Sequence, residues 1–587
     1  MISSICRREP LRAASATLAV PPLLQRILAA RHVLTESERS LDFTQLLPPQ
    51  LLLGIDAAVA LLVAQLAPQR RILIISDFDA DGATSCVLAI RALRAMGFRH
   101  VDYIVPNRFE YGYGLTPEIV ELARGKSPDL LITVDNGISS VEGVAVARAL
   151  GMQVIITDHH LPGHQLPAAD AIVNPNQAGC RFPSKALAGV GVVFYVMAAL
   201  RSALREAGWF ARAGVVEPNL AGLLDLVALG TVADVVCLDQ NNRILVNEGL
   251  KRIRAGRACP GILALLTLGK RSLPSLQASD LGFAVGPRLN AAGRLDDMAL
   301  GIECLLTDEP EAAMAMARRL DDMNQQRKLI EEDMRDQAIT ELDALQLSGV
   351  ESPAGVCLYN PAWHQGVIGI LAARIKERLH RPVIAFADAG MDAQGEAQLK
   401  GSARSIAGLH VRDVLDTIAT RNPGLISRFG GHAMAAGLSL RARDYPQFCV
   451  AFAQEVAALV SEDDLQARIL TDGEVAPDDL TLNTAQLLRD HGPWGQGFPE
   501  PCFDGEFEVL QQRLLGEKHL KLVLCPPGRR QQALDAIAFN VERSLWESCN
   551  VARIRAVYRL DVNEFRGQRN LQLVLEHLVP KAELHED

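Results

Sequence analysis

The eleven cysteines of the sequence include no C-x-x-C pair. That excludes the zinc ribbons and thioredoxin-like motifs such spacing marks, and scattered thiols of this kind fit a reducing compartment, so a cytoplasmic protein is expected. An export signal is missing too. Arg7, Arg8 and Arg12 are present, but Pro21 and Pro22 break the apolar stretch behind them and no h-region follows. The most apolar segment, residues 51–67, contains Gly54, Asp56 and Gln65 and is short for a bilayer span of about 20 residues. It is read as a buried helix leading into the first strand, and no membrane partner is expected. Excess positive charge is also absent. A formal net charge of −10 argues against coating nucleic acid with the whole surface. Local basic clusters remain, at Lys251, Arg252, Arg254 and Arg257, at Lys270 and Arg271, and at Arg288 and Arg294, each read by default as a solvated face.

What is present is the composition of an ordinary globular protein, 49% hydrophobic and 22% charged. Its 587 residues imply three or four domains. The richest stretch runs from Arg71 to Ser85. Four apolar residues, Ile72 to Ile75, predict a strand buried on both faces, and a helix is expected from Thr84 to Gly97. Between them stand Asp77, Asp79 and Asp81. One aspartate would serve as a helix cap or turn residue. Three that repel one another are better explained by a cation, and alternation in an extended segment would let them converge.

A βα alternation follows, with strands expected at 101–105, 130–134 and 153–157 and helices at 116–124 and 141–150. It predicts an α/β fold with a parallel, doubly wound sheet, whose strands open at their carboxyl ends onto the ligand crevice. To that edge the strands deliver the three aspartates, then Asn107 and Arg108, then Asp135-Asn-Gly137, then Asp158-His-His160. Helices are expected at 189–208 and 220–236, the latter carrying Asp225 and Asp234. If Asp234 is buried, a cation or an arginine must hold it. Aspartates with one or two histidines and no cysteine suit manganese or magnesium. There are enough for two divalent cations, with Asp135 the natural bridge between them. Such a pair activates water and neutralises a phosphodiester during in-line displacement.

Downstream, 309–346 predicts a long connecting helix, with a coiled-coil surface as the runner-up. A second α/β unit follows, with strands at 356–359 and 382–387 around a helix opened by Trp363-His-Gln-Gly366. Two loops are expected at 400–405 and 429–437, whose small residues admit a ligand while His364, Arg404 and His432 supply donors. From about 468 short apolar runs predict a five-stranded barrel of the kind that binds single strands, with Lys518, His519, Lys521, Arg566 and Arg569 as candidate phosphate contacts. The expected division is a helical lead-in over 1–50, a catalytic domain over 51–235, a helical connector over 236–347, a second α/β domain over 348–460 and the barrel over 465–578.

The motifs Phe78-Asp-Ala-Asp-Gly82, Val134-Asp-Asn-Gly-Ile138 and Asp158-His-His160 resemble those of the DHH phosphoesterase superfamily. Pro106-Asn-Arg-Phe-Glu110, Gly230-Thr-Val-Ala-Asp234, Gly286-Pro-Arg-Leu-Asn-Ala-Ala-Gly-Arg294 and Gly430-Gly-His-Ala-Met-Ala-Ala-Gly437 narrow the likeness to its bacterial single-strand exonucleases. The resemblance implies a DHH catalytic domain, a DHHA1 domain reached by the long helix, and an oligonucleotide-binding (OB) barrel. It also implies 5′-to-3′ degradation of single-stranded DNA to 5′-mononucleotides, in recombination and in repair, including mismatch repair. Carried over, Asp77, Asp79, Asp81, Asp135, His159 and Asp234 hold two Mn2+ or Mg2+ ions, with Asp81 ranked last because related phosphoesterases manage with two of the three aspartates. His160 supports the site as a neighbour or proton donor. Arg108, Ser402 and Arg404 hold the 5′-phosphate, and Arg288, Asn290, Arg294, His364 and His432 line the strand's path, with Asn107 beside it. Single-strand-binding protein and a RecQ-type helicase are the partners implied, and the resemblance favours a monomer. Two departures flank ligands: Ser76 where glycine is usual and Cys237 where proline is. Two alternatives are a hydrolase of small phosphates, which would need no barrel, and an inactive scaffold, which would have shed metal ligands.

Overall fold

The computed structural model of the chain describes residues 2–9, 18–107, 110, 111, 113–347, 353–392, 394–516, 519–541, 546 and 551–580. The lead-in expected to be helical begins instead with a strand, β1 (Ile2–Arg7), followed by the helix Pro22–Ala29. Five parallel strands then form the catalytic sheet: β2 (Arg71–Ser76), β3 (His100–Ile104), β4 (Leu130–Val134), β5 (Gln153–Thr157) and β6 (Ala171–Val173). Their order is β3-β2-β4-β5-β6. The chain therefore changes direction across the sheet at β2, the place where open α/β sheets bind ligands. Registers Ser76↔Val134 and Val134↔Thr157 bring the ends of β2, β4 and β5 level, so Asp77, Asp135 and Asp158 emerge in one row. Apolar helices cover this sheet, as strands buried on both faces demand.

The long helix, Pro310–Leu347, has 38 residues and spans about 57 Å. Its near half buries Ala313, Ala317 and Leu320 in the catalytic core; its far half buries Met334, Ala338 and Leu342 in a second core. Buried Asn324 and Arg327 separate the two stretches. The stripe thus serves two globular cores, not a coiled coil. The second core belongs to a sheet of β7 (Val356–Tyr359), β8 (Val383–Met391), β9 (Ala397–Arg404), β10 (Arg428–Gly431) and β11 (Ala435–Arg441), in order β10-β11-β9-β8-β7. The segments 400–405 and 429–437, expected as loops, are here the end of β9 and a hairpin with His432 at its turn. Glycine and alanine are poor strand formers in isolation. Gly401, however, pairs with Phe386, whose ring lies 2.5 Å from where a Cβ would stand, so the cross-strand aromatic takes the space a side chain would fill.

The strand β12 (Ala467–Thr471) pairs in parallel with β1. Beside this pair Arg31 holds buried Asp472 through two hydrogen bonds of 2.8 and 3.0 Å. The chain ends in a closed barrel of β13 (Phe503–Leu515), β14 (His519–Cys525), β15 (Leu534–Phe539), β16 (Arg553–Phe565) and β17 (Gln568–Pro580). Of these β15 has no counterpart in the sequence reading. Lys518 lies outside the described residues; Lys521 pairs with Asp535 at 3.6 Å and Arg569 with Glu564 at 3.1 Å. No single helix among the described residues is long and apolar enough to cross a membrane.

Candidate metal centre

The three aspartates after β2 converge, but not by strand alternation. The helix expected from Thr84 begins at Ala80, so Asp77 ends the strand, Asp79 caps the helix and Asp81 sits in its first turn. Asp79 accepts a hydrogen bond from the Gly82 amide at 2.9 Å, the role a single capping aspartate would have. Asp81 points inward and is buried. Its two oxygens accept from the Gly189 and Val190 amides, 2.7 and 2.9 Å away, at the N-terminus of the helix Gly189–Glu206. A helix N-terminus favours negative charge there, and each oxygen keeps a second lone pair.

Asp135 follows β4 with a left-handed backbone, φ 62°, which turns its buried carboxylate toward His159. His159 Nε2 lies 3.1 Å from Asp135 Oδ1, 3.4 Å from Asp234 Oδ2 and 4.0 Å from Asp81 Oδ2. Asp135 Oδ1 and His159 Nε2 are within ion-pair distance, yet neither has a hydrogen-bond partner in the right direction. Three overlapping donor sets result, each with its ligand atoms within 4.8 Å: Asp77, Asp79 and Asp135; Asp81, His159 and Asp234; Asp135, His159 and His160. Asp135 belongs to two of the three.

The electrostatics favour a cation. Burial and the neighbouring Asp79 raise the Asp81 carboxyl to about 7. Burial, with Asp81 and Asp79 next, pushes both Asp135 and Asp234 well above the carboxylate range. Burial lowers the His159 imidazole to about 3, leaving it neutral and able to donate a lone pair. Buried carboxylates that repel one another, a neutral imidazole and two orphaned acceptors facing a common point fit a divalent cation held by hard oxygen and borderline nitrogen.

Around this set the structure gives roles to Asp158 and to motif glycines that the sequence reading left without one, and it adds Tyr113, which that reading did not single out. Asp158 accepts from Ile138 N, His159 N and His160 N and from the His160 ring at 2.7 Å. Burial is the largest single influence on His160 and depresses it, but the hydrogen bond and charge of Asp158, joined by the charges of Asp77 and Asp234, together outweigh it and hold the imidazolium up to about 9. Tyr113 donates to the Asp135 carbonyl at 3.3 Å and sits as close to the His160 ring. Four glycines let the parts approach. A Cβ at Gly82 would meet Asp77 at 2.7 Å or less, at Gly189 Asp135 at 2.6 Å, at Gly230 Asp81 at 2.7 Å, and at Gly293 the Phe78 carbonyl at 1.9 Å. For Gly189, Gly230 and Gly293 nothing in the glycine's spacing announces this, because the opposing atoms come from distant segments.

The expected strand-contacting residues divide. Arg108 lies outside the described residues, and Asn107 stands three residues beyond the end of β3, its carbonyl accepting from the Glu110 and Tyr111 amides. The His432 ring stacks on His160, centroids 5.4 Å apart, so the hairpin of the second domain roofs the metal donors. Arg294 donates to the Gly366 carbonyl at 3.3 Å, and the Gly366 amide donates to His364. Ser402 and Arg404 bond each other at 3.1 Å and flank Gly369, near the start of the helix Ile368–Leu379, a setting suited to a phosphate. Arg288 is committed elsewhere, to Asp321 of the long helix at 2.8 Å. Asn290 is placed differently from the expectation of a strand contact: its side-chain oxygen accepts from the Ala80 amide at 2.7 Å, fixing the turn that carries Asp79 and Asp81. Asn290→Ala is therefore expected to weaken Mn2+ binding about 10- to 100-fold, the usual cost of losing a group that orients ligands, while Asn290→Asp, which keeps the acceptor, loses less. Titration calorimetry with Mn2+ checks this.

A parallel sheet with carboxylates at its switch point and a roofing second domain defines a metal-dependent phosphoesterase. The models that match the chain are those of the DHH family, N-terminal domain, over residues 71–231, the DHHA1 domain over 353–458 and the RecJ OB domain over 471–577. It is 56% identical over 574 residues to the single-stranded-DNA-specific exonuclease RecJ of Dickeya dadantii, covering 98% of this chain and 99% of that one. The crystal structure of RecJ from Thermus thermophilus in complex with Mn2+ superposes with a TM-score of 0.77 at 28% identity, covering 99% of this chain and 80% of that one. Its complex with Mg2+ gives 0.73 at 26% identity, over 99% and 78%. The chain belongs to the RecJ family, and its cofactors are divalent cations of the manganese and magnesium type.

Proposed function

We propose that the chain is a single-stranded-DNA-specific exonuclease that works from the 5′ end and releases 5′-mononucleotides, in recombination and repair. The observation that carries the reading is Asp135, shared between donor sets, one of which includes His160, whose ring His432 of another domain stacks on. Divalent cations bound there supply charge neutralisation at the phosphodiester and a more acidic water. Asp77, Asp79, Asp81, Asp135, His159 and Asp234 hold them. Held as an imidazolium by Asp158, His160 is placed to hydrogen-bond a phosphate oxygen or to give a proton to the departing oxygen. Ser402 and Arg404 take the 5′-phosphate. Asn290 orients the metal loop, and His432 and His364 border the strand. The barrel holds the strand further along. The inactive-scaffold reading loses ground because every expected donor is retained.

The likeness over the whole chain supports single-strand-binding protein and a RecQ-type helicase as partners and a monomer as the working unit. A cytoplasmic location fits the ten described cysteines, all free thiols.

The test offers the purified protein with Mn2+ a 5′-phosphorylated single strand labelled at its 3′ end, beside the same strand as a blunt duplex. Shortening of the single strand alone, from its 5′ side and with release of mononucleotides, is expected; chelation should stop it and Mn2+ restore it. Binding without cleavage would return the scaffold reading.

A further inference from the structure

The helical run that carries Arg288, Asn290 and Arg294 is not regular. It starts as a short turn, Ala278–Asp280, widens into a single π-turn over Leu281–Val285 and continues as Gly286–Leu295. Single π-turns recur at functional sites, where the extra residue redirects a side chain. This one is seated on the helix Leu224–Ala233 through two glycines. A Cβ on Gly282 would meet Val232 at 3.3 Å, and one on Gly286 would meet Ala233 at 3.3 Å. The widened turn therefore lies against the residues that run directly into Asp234.

From that turn Phe283 projects into solvent, 80% exposed. A lone exposed ring is ordinary on a protein surface; this one is set apart by its place on a π-turn and at a cavity between two domains. Phe283 lines a cavity of about 690 Å3. One wall is the segment that follows the metal donor, including Val235, whose left-handed backbone leaves its side chain exposed. The opposite wall comes from Trp494 and from Leu560 of the barrel. The cavity thus lies between the chain segments that flank Asp234 and the barrel. Lys270 stands at its edge with no ion pair among the described residues, whereas Arg271 is paired with Asp280 and Arg559 with Glu500 and Glu576. An exposed aromatic face beside an uncommitted ammonium is the pairing that a base and its phosphate require.

We propose that Phe283 is the stacking platform for a base of the single strand between the metal centre and the barrel, with Lys270 on an adjacent phosphate. This rests on the exonuclease reading and gives it a subsite that recognises a base by its flat face and not by its identity.

The test compares kcat/KM with Mn2+ for two 5′-phosphorylated strands of equal length, one with all its bases and one abasic beyond the first two nucleotides. Wild type is expected to prefer the base-bearing strand. In Phe283→Ala that preference should fall about tenfold, and Phe283→Tyr should restore it. Lys270→Ala should weaken both strands alike and flatten the salt dependence. An unchanged preference in active Phe283→Ala overturns the assignment. So does an equal loss on both strands, which would mean that the ring acts through the fold. Wild type that cleaves neither strand overturns the exonuclease reading instead.

Discussion

Asp135→Asn is expected to lower kcat by about 10²- to 10³-fold, the scale on which removing one preorganised charge-stabilising group acts. Asparagine is the sharper replacement than alanine. It keeps the volume of the buried side chain, and it tolerates the left-handed backbone at this position, φ 62°, that alanine adopts at a cost of about 1 kcal/mol or more. Asp135→Ala should be equally impaired and slightly less stable. The fold should survive both. Without metal, Asp135→Asn should melt no lower than wild type, because it removes one of several like charges that burial already disfavours. Mn2+ should raise the wild-type melting temperature by mass action and move the variant much less. Single-turnover cleavage and melting curves with and without Mn2+ measure both halves. Activity within tenfold of wild type would sink the assignment of Asp135 as the shared ligand.

The second large effect is expected from a residue with no chemistry of its own. Gly189 opens the helix whose first two amides hold Asp81, and a Cβ there would stand 2.6 Å from Asp135 Oδ1 and 2.7 Å from Asp135 Cβ. Helix propensity alone would make Gly189→Ala stabilising by up to about 1 kcal/mol. The steric term opposes it, since real side chains do not approach so closely, and either Asp135 or the helix must move. About 1 Å of displacement at a reacting centre costs about 10²-fold in rate. We therefore expect Gly189→Ala to lose about 10²-fold or more in kcat together with Mn2+ affinity. Gly222→Ala, where nothing lies within 4 Å of the added carbon, should leave both as they are. Equal activities of the two variants would refute the close-approach argument.

These two residues also mark what a sequence can and cannot convey. Asp135 was legible because four successive strands, each followed by polar residues, announce a common edge. The long helix was legible from its composition, and the barrel from its short apolar runs. Gly189 was not, because its meaning lies in which atom it faces, and that atom is 54 residues away in the chain, a pairing only the folded sheet creates. The hairpin around His432 read as a loop because glycine and alanine carry no strand signature until a partner strand supplies the hydrogen bonds. The strand Leu534–Phe539 escaped for a related reason, with two of its six residues alanine. Asn290 was found, but with another partner: its place in a motif shared with arginines suggested the nucleic acid, whereas its side chain serves the backbone of Ala80.

The parallel pairing of β1 with β12 has a consequence in time. Ile2 leaves the ribosome about 465 residues ahead of its partner Ala467, roughly 20 to 90 s at ordinary synthesis rates. Through that interval the catalytic sheet and the long helix can already be packed, while the first strand has nothing to hydrogen-bond. Its residues, Ile2-Ser-Ser-Ile-Cys-Arg7, are short and half polar, which keeps an unpaired edge from recruiting another nascent chain. This early strand thus finds its place later than the sheet and helix made after it, because its pairing must wait for Ala467–Thr471.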